Sequence, residues 1–200
     1  EALDPTPECV APVGDESPPR PGELPEEYVL RLSLDKARSV TDGVGTATVL
    51  GADTVVAVDG EILGKPVDMD DATRMLRLLR GRAHSVFTGV AALEADTGQS
   101  AAIACQSRVT IRPLSDAELL DYIALENPMD KAGSYAVQDK SAGLAEAVDG
   151  CYLNVVGLPL CEAMTLLDRF AAPSQLRSGW RPPPECVDCV LSQRLEAHPP

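Results

Sequence analysis

Asp53 stands in VLGADTVV, a carboxylate set among apolar and β-branched residues. Charged side chains are rarely placed between buried strand segments unless they are paired or bind metal. Lys65 follows in GKP, after a hairpin that would return the chain towards Asp53. A carboxylate and an ammonium facing one cleft can hold a metal–phosphate group between them. The same two residues could equally form a salt bridge, and Asp53 could be an ordinary strand-end aspartate. A second polar group lies in NPMDKAGSYAVQ. Pro128 and Gly133 fix a loop there, Lys131 sits on it, and Gln138 closes a short strand, from which an amide can read a ligand edge. The plain alternative is a surface loop with a solvated lysine. Asp15 and Glu16, in GDES, precede the first helix, and Lys36 lies at that helix's far end. By pattern alone these are a charged loop and a helix C-terminal cation.

Other motifs carry less. Cys186 and Cys189 form a single CxxC, and His198 is the one further ligand nearby, too few for a tetrahedral zinc site. His84 begins a strand with no nucleophile pattern around it. Neither GxxxxGK[ST] nor GxGxxG occurs, which argues against a P-loop enzyme and a dinucleotide dehydrogenase.

The elements that must position these residues can be read locally. PEEYVLRLSLDKARSV has proline and acids at its start and basic residues near its end, the order a helix favours. Thr48–Leu50 and Thr54–Val58 read as strand, and Asp59-Gly60 turns Val55–Val58 into a hairpin with Glu61–Leu63. Asp68 caps a helix with Ala72, Met75, Leu76 and Leu79 on one face, ended by Gly81. His84–Leu93 and Ala101–Ile111 are two further strands joined by a turn. Ser115 and Glu118 form a capping box for the next helix. GSYAVQD and YLNVV are expected as a short strand and a following apolar segment, and Pro159 opens a last helix. The class is α/β with a mixed sheet. Residues 1–24 read as an irregular proline-rich lead-in, 25–172 as the folded domain and 173–200 as a proline-rich tail.

The chain has 200 residues, 44% hydrophobic and 24% charged, which suits one globular core. Its net charge of −14, from 31 acidic and 17 basic residues, disfavours nucleic acid and acidic membranes as partners. No apolar run reaches the length of a transmembrane helix. A small anionic ligand would need a local cationic pocket or a bridging metal ion. The chain begins at Glu1, so the absence of a signal sequence is uninformative. Of the six cysteines, Cys105, Cys151 and Cys161 sit in apolar stretches and read as buried thiols, and a reduced, cytoplasmic protein is expected.

Taken together, GADTVVAVDGEILGKPVDMDDATRMLRLLRGRAHSVFTGVA resembles the central block of the Maf proteins. ENPMDKAGSYAVQDKSAGLAEAVDGCYLNVVGLPL resembles their C-terminal block, and GELPEEYVLRLSLDKA their first long helix. The resemblance covers roughly residues 8–170. It implies an elongated mixed sheet flanked by helices, with two lobes around a cleft. It also implies hydrolysis of nucleoside triphosphates to the monophosphate and pyrophosphate with a divalent cation, Mg²⁺ or Mn²⁺. Asp53 then corresponds to the general base, Glu16 and Asp53 to metal ligands, and Lys65 to a phosphate contact. Lys36 lies near the phosphates, and Lys131 is counted with the substrate contacts. Thr54 after the aspartate and Gln138 after AGSY match the subfamily that prefers dTTP and UTP; an amide suits the imide edge of thymine or uracil. The family's N-terminal SxSPRR segment has no match, since Ser17-Pro18-Pro19-Arg20 follows the acid instead of preceding it, and the chain is expected to lack it. A non-catalytic nucleotide-binding or septum-regulating relative is the competing expectation, and a homodimer is expected from the family.

Overall fold

The computed structural model describes residues 2–125, 128–139, 143–170, 172, 175–176 and 180–186. A five-stranded sheet runs in the order β3 (Glu61–Leu63), β2 (Thr48–Val58), β4 (Ala83–Glu94), β5 (Ser100–Ile111) and β6 (Ala145–Asp149). Two residues near each end, β1 (Leu3–Asp4) and β7 (Gln175–Leu176), form a separate antiparallel pair. Helices α1 (Pro25–Ser39), α2 (Met69–Leu79), α3 (Asp116–Leu125), α4 (Tyr152–Val156) and α5 (Leu160–Arg169) flank the main sheet. The α/β class and the helix-flanked sheet hold. Every ladder among the described residues is antiparallel, where the sequence suggested a mixed sheet. Tight turns join β2 to β3 and β4 to β5, and the longer α2 and α3 connections also return the chain antiparallel.

The local signals act as read. Glu27 reaches back to the Leu24 amide at the start of α1, Asp68 accepts from the Asp71 amide, and Ser115 and Glu118 cap α3 reciprocally. Thr48–Leu50 and Thr54–Val58 are one continuous strand, so Asp53 lies within β2 and not at its end. One local expectation fails. GSYAVQD is not a strand: Gly133 and Ser134 have φ of 69° and 66°, outside strand geometry, and Ala132–Ser134 is a 3-10 turn. YLNVV is the short helix α4, closed by Gly157 at φ 117°.

Residue alternation along β2 sorts its neighbours. Gly51, Asp53 and Val55 face α1, and α1 comes in close because Gly51 and its cross-strand neighbourhood at Gly89 carry no Cβ. Tyr28, Val29 and Leu32 pack with Val55 there. The opposite face holds the larger core, in which Val56, Val86 and Val109 meet Leu76 and Leu79 of α2 and Leu119 of α3. A third cluster joins Val90 and Ala92 to Ala163 and Leu166 of α5.

Buried in the larger core's neighbourhood, His84 pairs its Nε2 with the Tyr135 hydroxyl at 2.7 Å. Burial pulls the imidazole down to about 4. The folded state therefore binds fewer protons than the unfolded chain between the ordinary histidine value and about 4. Stability supplied by neutral His84 is complete above pH 6.5 and is lost as pH falls towards 4, a change of about 3 kcal/mol. Denaturant titrations of the parent chain should show this slope, and His84→Phe should flatten it.

Candidate active site

Lys36 belongs to the buried stripe of α1. Val29, Leu32 and Ser33 precede it at helical spacing, so its side chain leaves the helix on the face that meets β2. Its ammonium donates to Asp53 Oδ1 and pairs with Glu16 Oε1 at 2.8 Å. Asp53 is opposite Gly89 in the β2–β4 ladder, where the missing side chain leaves room. Glu16 comes from an irregular segment strapped onto α1. The Ser39 hydroxyl accepts from the Val13 amide at 3.1 Å, Tyr28 Oη donates to Ser17 O at 3.1 Å, and Arg31 donates to Ser17 Oγ and Pro18 O. Arg31 is itself fixed by Glu23 at 2.7 Å.

These groups open onto a cleft of about 330 Å³. Its wall runs from Leu32 and Lys36 of α1 across Ala52–Val56 of β2 to Val155 and Val156 of α4. β3 pairs with Val56–Val58 alone, so among the described residues no strand covers the outer edge of Thr48–Val55. The loop after β3 and the loop before Gln138 are tied together, since the Gly133 amide donates to Gly64 O at 3.0 Å. That link brings Lys65 and Lys131 to the cleft along with Gln138. Behind the second loop, Tyr135 holds His84, and Tyr122 Oη accepts from the Ala136 amide at 3.1 Å.

The structure thus collects Glu16, Lys36, Asp53, Thr54, Lys65, Lys131 and Gln138 around one cleft. It corrects one pairing. Lys65 is half exposed and lies 3.7 Å from Glu16; the partner of Asp53 is Lys36. Gln138 stands in a turn, not at a strand end. Thr54 spends its hydroxyl on Thr88 at 2.9 Å, and Thr88 donates to Asn154 O at 2.8 Å, so Thr54 ties β2 to α4. Sequence reasoning missed Tyr28, Thr88, Tyr135 and Asn154. The single available signal was that polar side chains occupied otherwise apolar elements. Cys105, Cys151 and Cys161, read as buried, are partly exposed, because they lie at the margin where α4 and α5 meet the sheet. Cys186 is buried; Cys189 and His198 lie outside the described residues.

The electrostatics follow from placement. Burial raises the Asp53 carboxyl above its ordinary value; Lys36 opposes this, and the Glu16 charge adds to it. For Lys36, burial works against the charge, but hydrogen bonds to Asp53 and Glu16 outweigh it and the ammonium is raised. Glu16, less buried, is lowered, because Lys36 and Lys65 together outweigh its desolvation. Three carboxylates, Glu16, Asp53 and Asp130, face three lysines, Lys36, Lys65 and Lys131, around the cleft. In a chain of net charge −14 this is a locally neutral surface.

A helix-flanked antiparallel sheet with a charge-balanced polar cleft on one edge places the molecule among α/β proteins suited to a small polar ligand. The chain belongs to the Maf family, whose model, described as Maf-like protein, matches residues 1–170. Among curated relatives, the dTTP/UTP pyrophosphatase of Geobacter sulfurreducens is 44% identical over 164 residues, which is 82% of this chain and 85% of that protein. The dTTP/UTP pyrophosphatase of Shewanella sp. (strain MR-7) is 47% identical over 161 residues, covering 79% and 81%. That of Dictyoglomus thermophilum is 45% identical over 146 residues, covering 73% and 76%. No helix among the described residues is long and apolar enough to cross a membrane.

Proposed function

We propose that this chain is a hydrolase that cleaves dTTP and UTP to the monophosphate and pyrophosphate, with Asp53 as general base. The observation that carries the reading is the buried Asp53 carboxylate, raised by its surroundings and held by Lys36 in a lysine-lined cleft. The names of the relatives supply the substrate class. A carboxylate with a raised value is a better proton acceptor than an exposed aspartate. Asp53 takes a proton from water as the water oxygen bonds to a phosphorus of the α–β anhydride. The bridging P–O bond breaks, and pyrophosphate leaves. Lys36, Lys65 and Lys131 face the phosphates and offset their charge.

Three lysines opposed by three carboxylates leave no net positive charge for a triphosphate. A divalent cation fits this deficit. Glu16 and Asp53 both bond to the Lys36 ammonium, so two hard oxygen donors already converge. Two carboxylates plus substrate phosphates are a donor set that suits Mg²⁺ or Mn²⁺. When bound there, the cation would neutralise phosphate charge. A cytoplasmic location accords with this reading.

Pyrophosphate release from single nucleotides tests the proposal. dTTP and UTP should be used in preference to purine triphosphates, and EDTA should stop turnover until excess Mg²⁺ is restored. Turnover that persists in EDTA would overturn the metal requirement. Gln138→Glu should lower kcat/KM for dTTP and UTP relative to other triphosphates by about 1–3 kcal/mol, the cost of replacing a donating amide by a carboxylate. Equal losses for pyrimidines and purines would remove Gln138 from base recognition.

A further inference from the structure

The side of the sheet that carries α4 holds two cysteines that the hydrolytic reading does not use. Cys105 is directly opposite Thr88 in the β4–β5 ladder, so the two side chains share a face. Thr88 reaches Asn154 O of α4 at 2.8 Å. Ser107, two residues along β5 and on the same face, donates to Cys151 O at 2.9 Å. Cys105 is thus flanked by two residues that both touch α4, and Cys151 is the residue from which α4 starts. Ser107 thereby brings the start of α4 beside Cys105, so that the two cysteines and Glu162 influence one another electrostatically. Both are partly exposed.

We propose that Cys105 and Cys151 form a reversible dithiol–disulfide site that takes a small neutral hydroperoxide as oxidant. Cys151 is the attacking sulfur. Cys105, and then the Asn154 and Leu153 amides, lower it against its burial and the Glu162 charge, which favours the thiolate on this sulfur. Cys105 is pushed up, first by the neighbouring Cys151 and then by burial and Glu162, and remains a thiol. The Cys151 sulfur attacks the outer peroxide oxygen; the S–O bond forms, the O–O bond breaks, and the alkoxide leaves as the alcohol after taking a proton. The Cys105 sulfur then displaces hydroxide from the sulfenic acid. The S–S bond forms, the S–O bond breaks, and the hydroxide leaves as water with the Cys105 proton. One hydroperoxide is reduced and two thiols are oxidised. A net charge of −14 and the nearby Glu162 favour a neutral oxidant over an anionic disulfide.

The site is wired to the cleft. Asn154 donates to Val86 O and Ser107 Oγ, its carbonyl takes the Thr88 hydroxyl, and Thr88 meets Thr54 beside Asp53. Val155 and Val156 of α4 are cleft wall. A disulfide at Cys151, the N-cap of α4, would pull on that wall.

Treating the reduced chain with hydrogen peroxide should give a Cys105–Cys151 cross-linked peptide by mass spectrometry, and dithiothreitol should remove it. Cys105→Ser should instead accumulate a sulfenic acid on Cys151 that dimedone traps, and Cys151→Ser should give neither product. Pyrophosphate release from dTTP should fall on oxidation of the parent chain and recover on reduction, with Cys105→Ser insensitive to that reversible loss. The cross-link in the unmutated chain is read by mass alone, so it stands whatever the substrate proves to be or however the serine variants fold. A chain that stays reduced under peroxide, or that joins other cysteines instead, would overturn the proposal. A cross-linked chain with an unchanged rate would overturn its coupling to the cleft.

Discussion

Asp53→Asn lowers kcat for pyrophosphate release from dTTP by about 10²–10⁴-fold, the usual worth of a positioned acid–base group. The substitution keeps the shape and a hydrogen-bond acceptor for Lys36, so the α1–β2 contact survives. Little stability should be lost at neutral pH. Burial already penalises the ionised carboxylate, which is why Asp53 is raised, and the neutral amide avoids that penalty. Lys36 keeps Glu16 as a counter-charge at 2.8 Å. The parent enzyme should also show an acid limb in kcat/KM, with rate lost as pH falls and Asp53 takes a proton. Circular dichroism and thermal melting check the fold, and initial rates check the chemistry. A well-folded variant that keeps more than about a tenth of the parent rate removes Asp53 from the base role.

Gly89→Ala, like Gly51→Ala, should be among the most damaging small substitutions in the sheet. A Cβ there would lie 2.2 Å from Val29 O and 2.5 Å from Val29 C, both backbone atoms of α1 that cannot rotate away. The helix must retreat, and Tyr28, Val29 and Leu32 then lose their packing on Val55. Overpacking against rigid backbone costs about 3 kcal/mol or more, which lowers the melting temperature of a domain this size by about 6–12 °C. Retreat of α1 also withdraws Lys36 from Asp53, so turnover per folded molecule should fall as well. Gly64→Ala is the control for stability, because nothing lies within 4 Å of a Cβ there and its backbone does not need glycine. Equal melting temperatures for the two variants would show that α1 has slack against the sheet and that the close approach at Gly89 is not what seats Lys36.

Much of this arrangement was written locally. The charge order and proline of α1, the Asp59-Gly60 turn, the Asp68 cap and the Ser115–Glu118 box each satisfy backbone groups within a few residues. They need no distant partner to be legible. The residues of the cleft were also legible as types, since a carboxylate, lysines and an amide break otherwise apolar patterns. Tertiary structure decided who meets whom. Lys65 is nearer to Asp53 in sequence, yet Lys36 takes the contact, because α1 crosses the sheet where Gly51 and Gly89 let its backbone descend. That crossing depends on two strands and a helix together, and no single segment encodes it. The segments whose conformation was not legible share one reason. YLNVV read only as an apolar segment; Asn154 is bonded to Val86 O and Ser107 Oγ across β4 and β5, which holds Tyr152–Val156 as a turn of helix. GSYAVQD looked like a strand, but its Gly133 and Ala136 amides are taken by Gly64 O and Tyr122 Oη instead of a neighbouring strand. Short segments have too few internal hydrogen bonds to fix their own conformation, so their partners fix it for them.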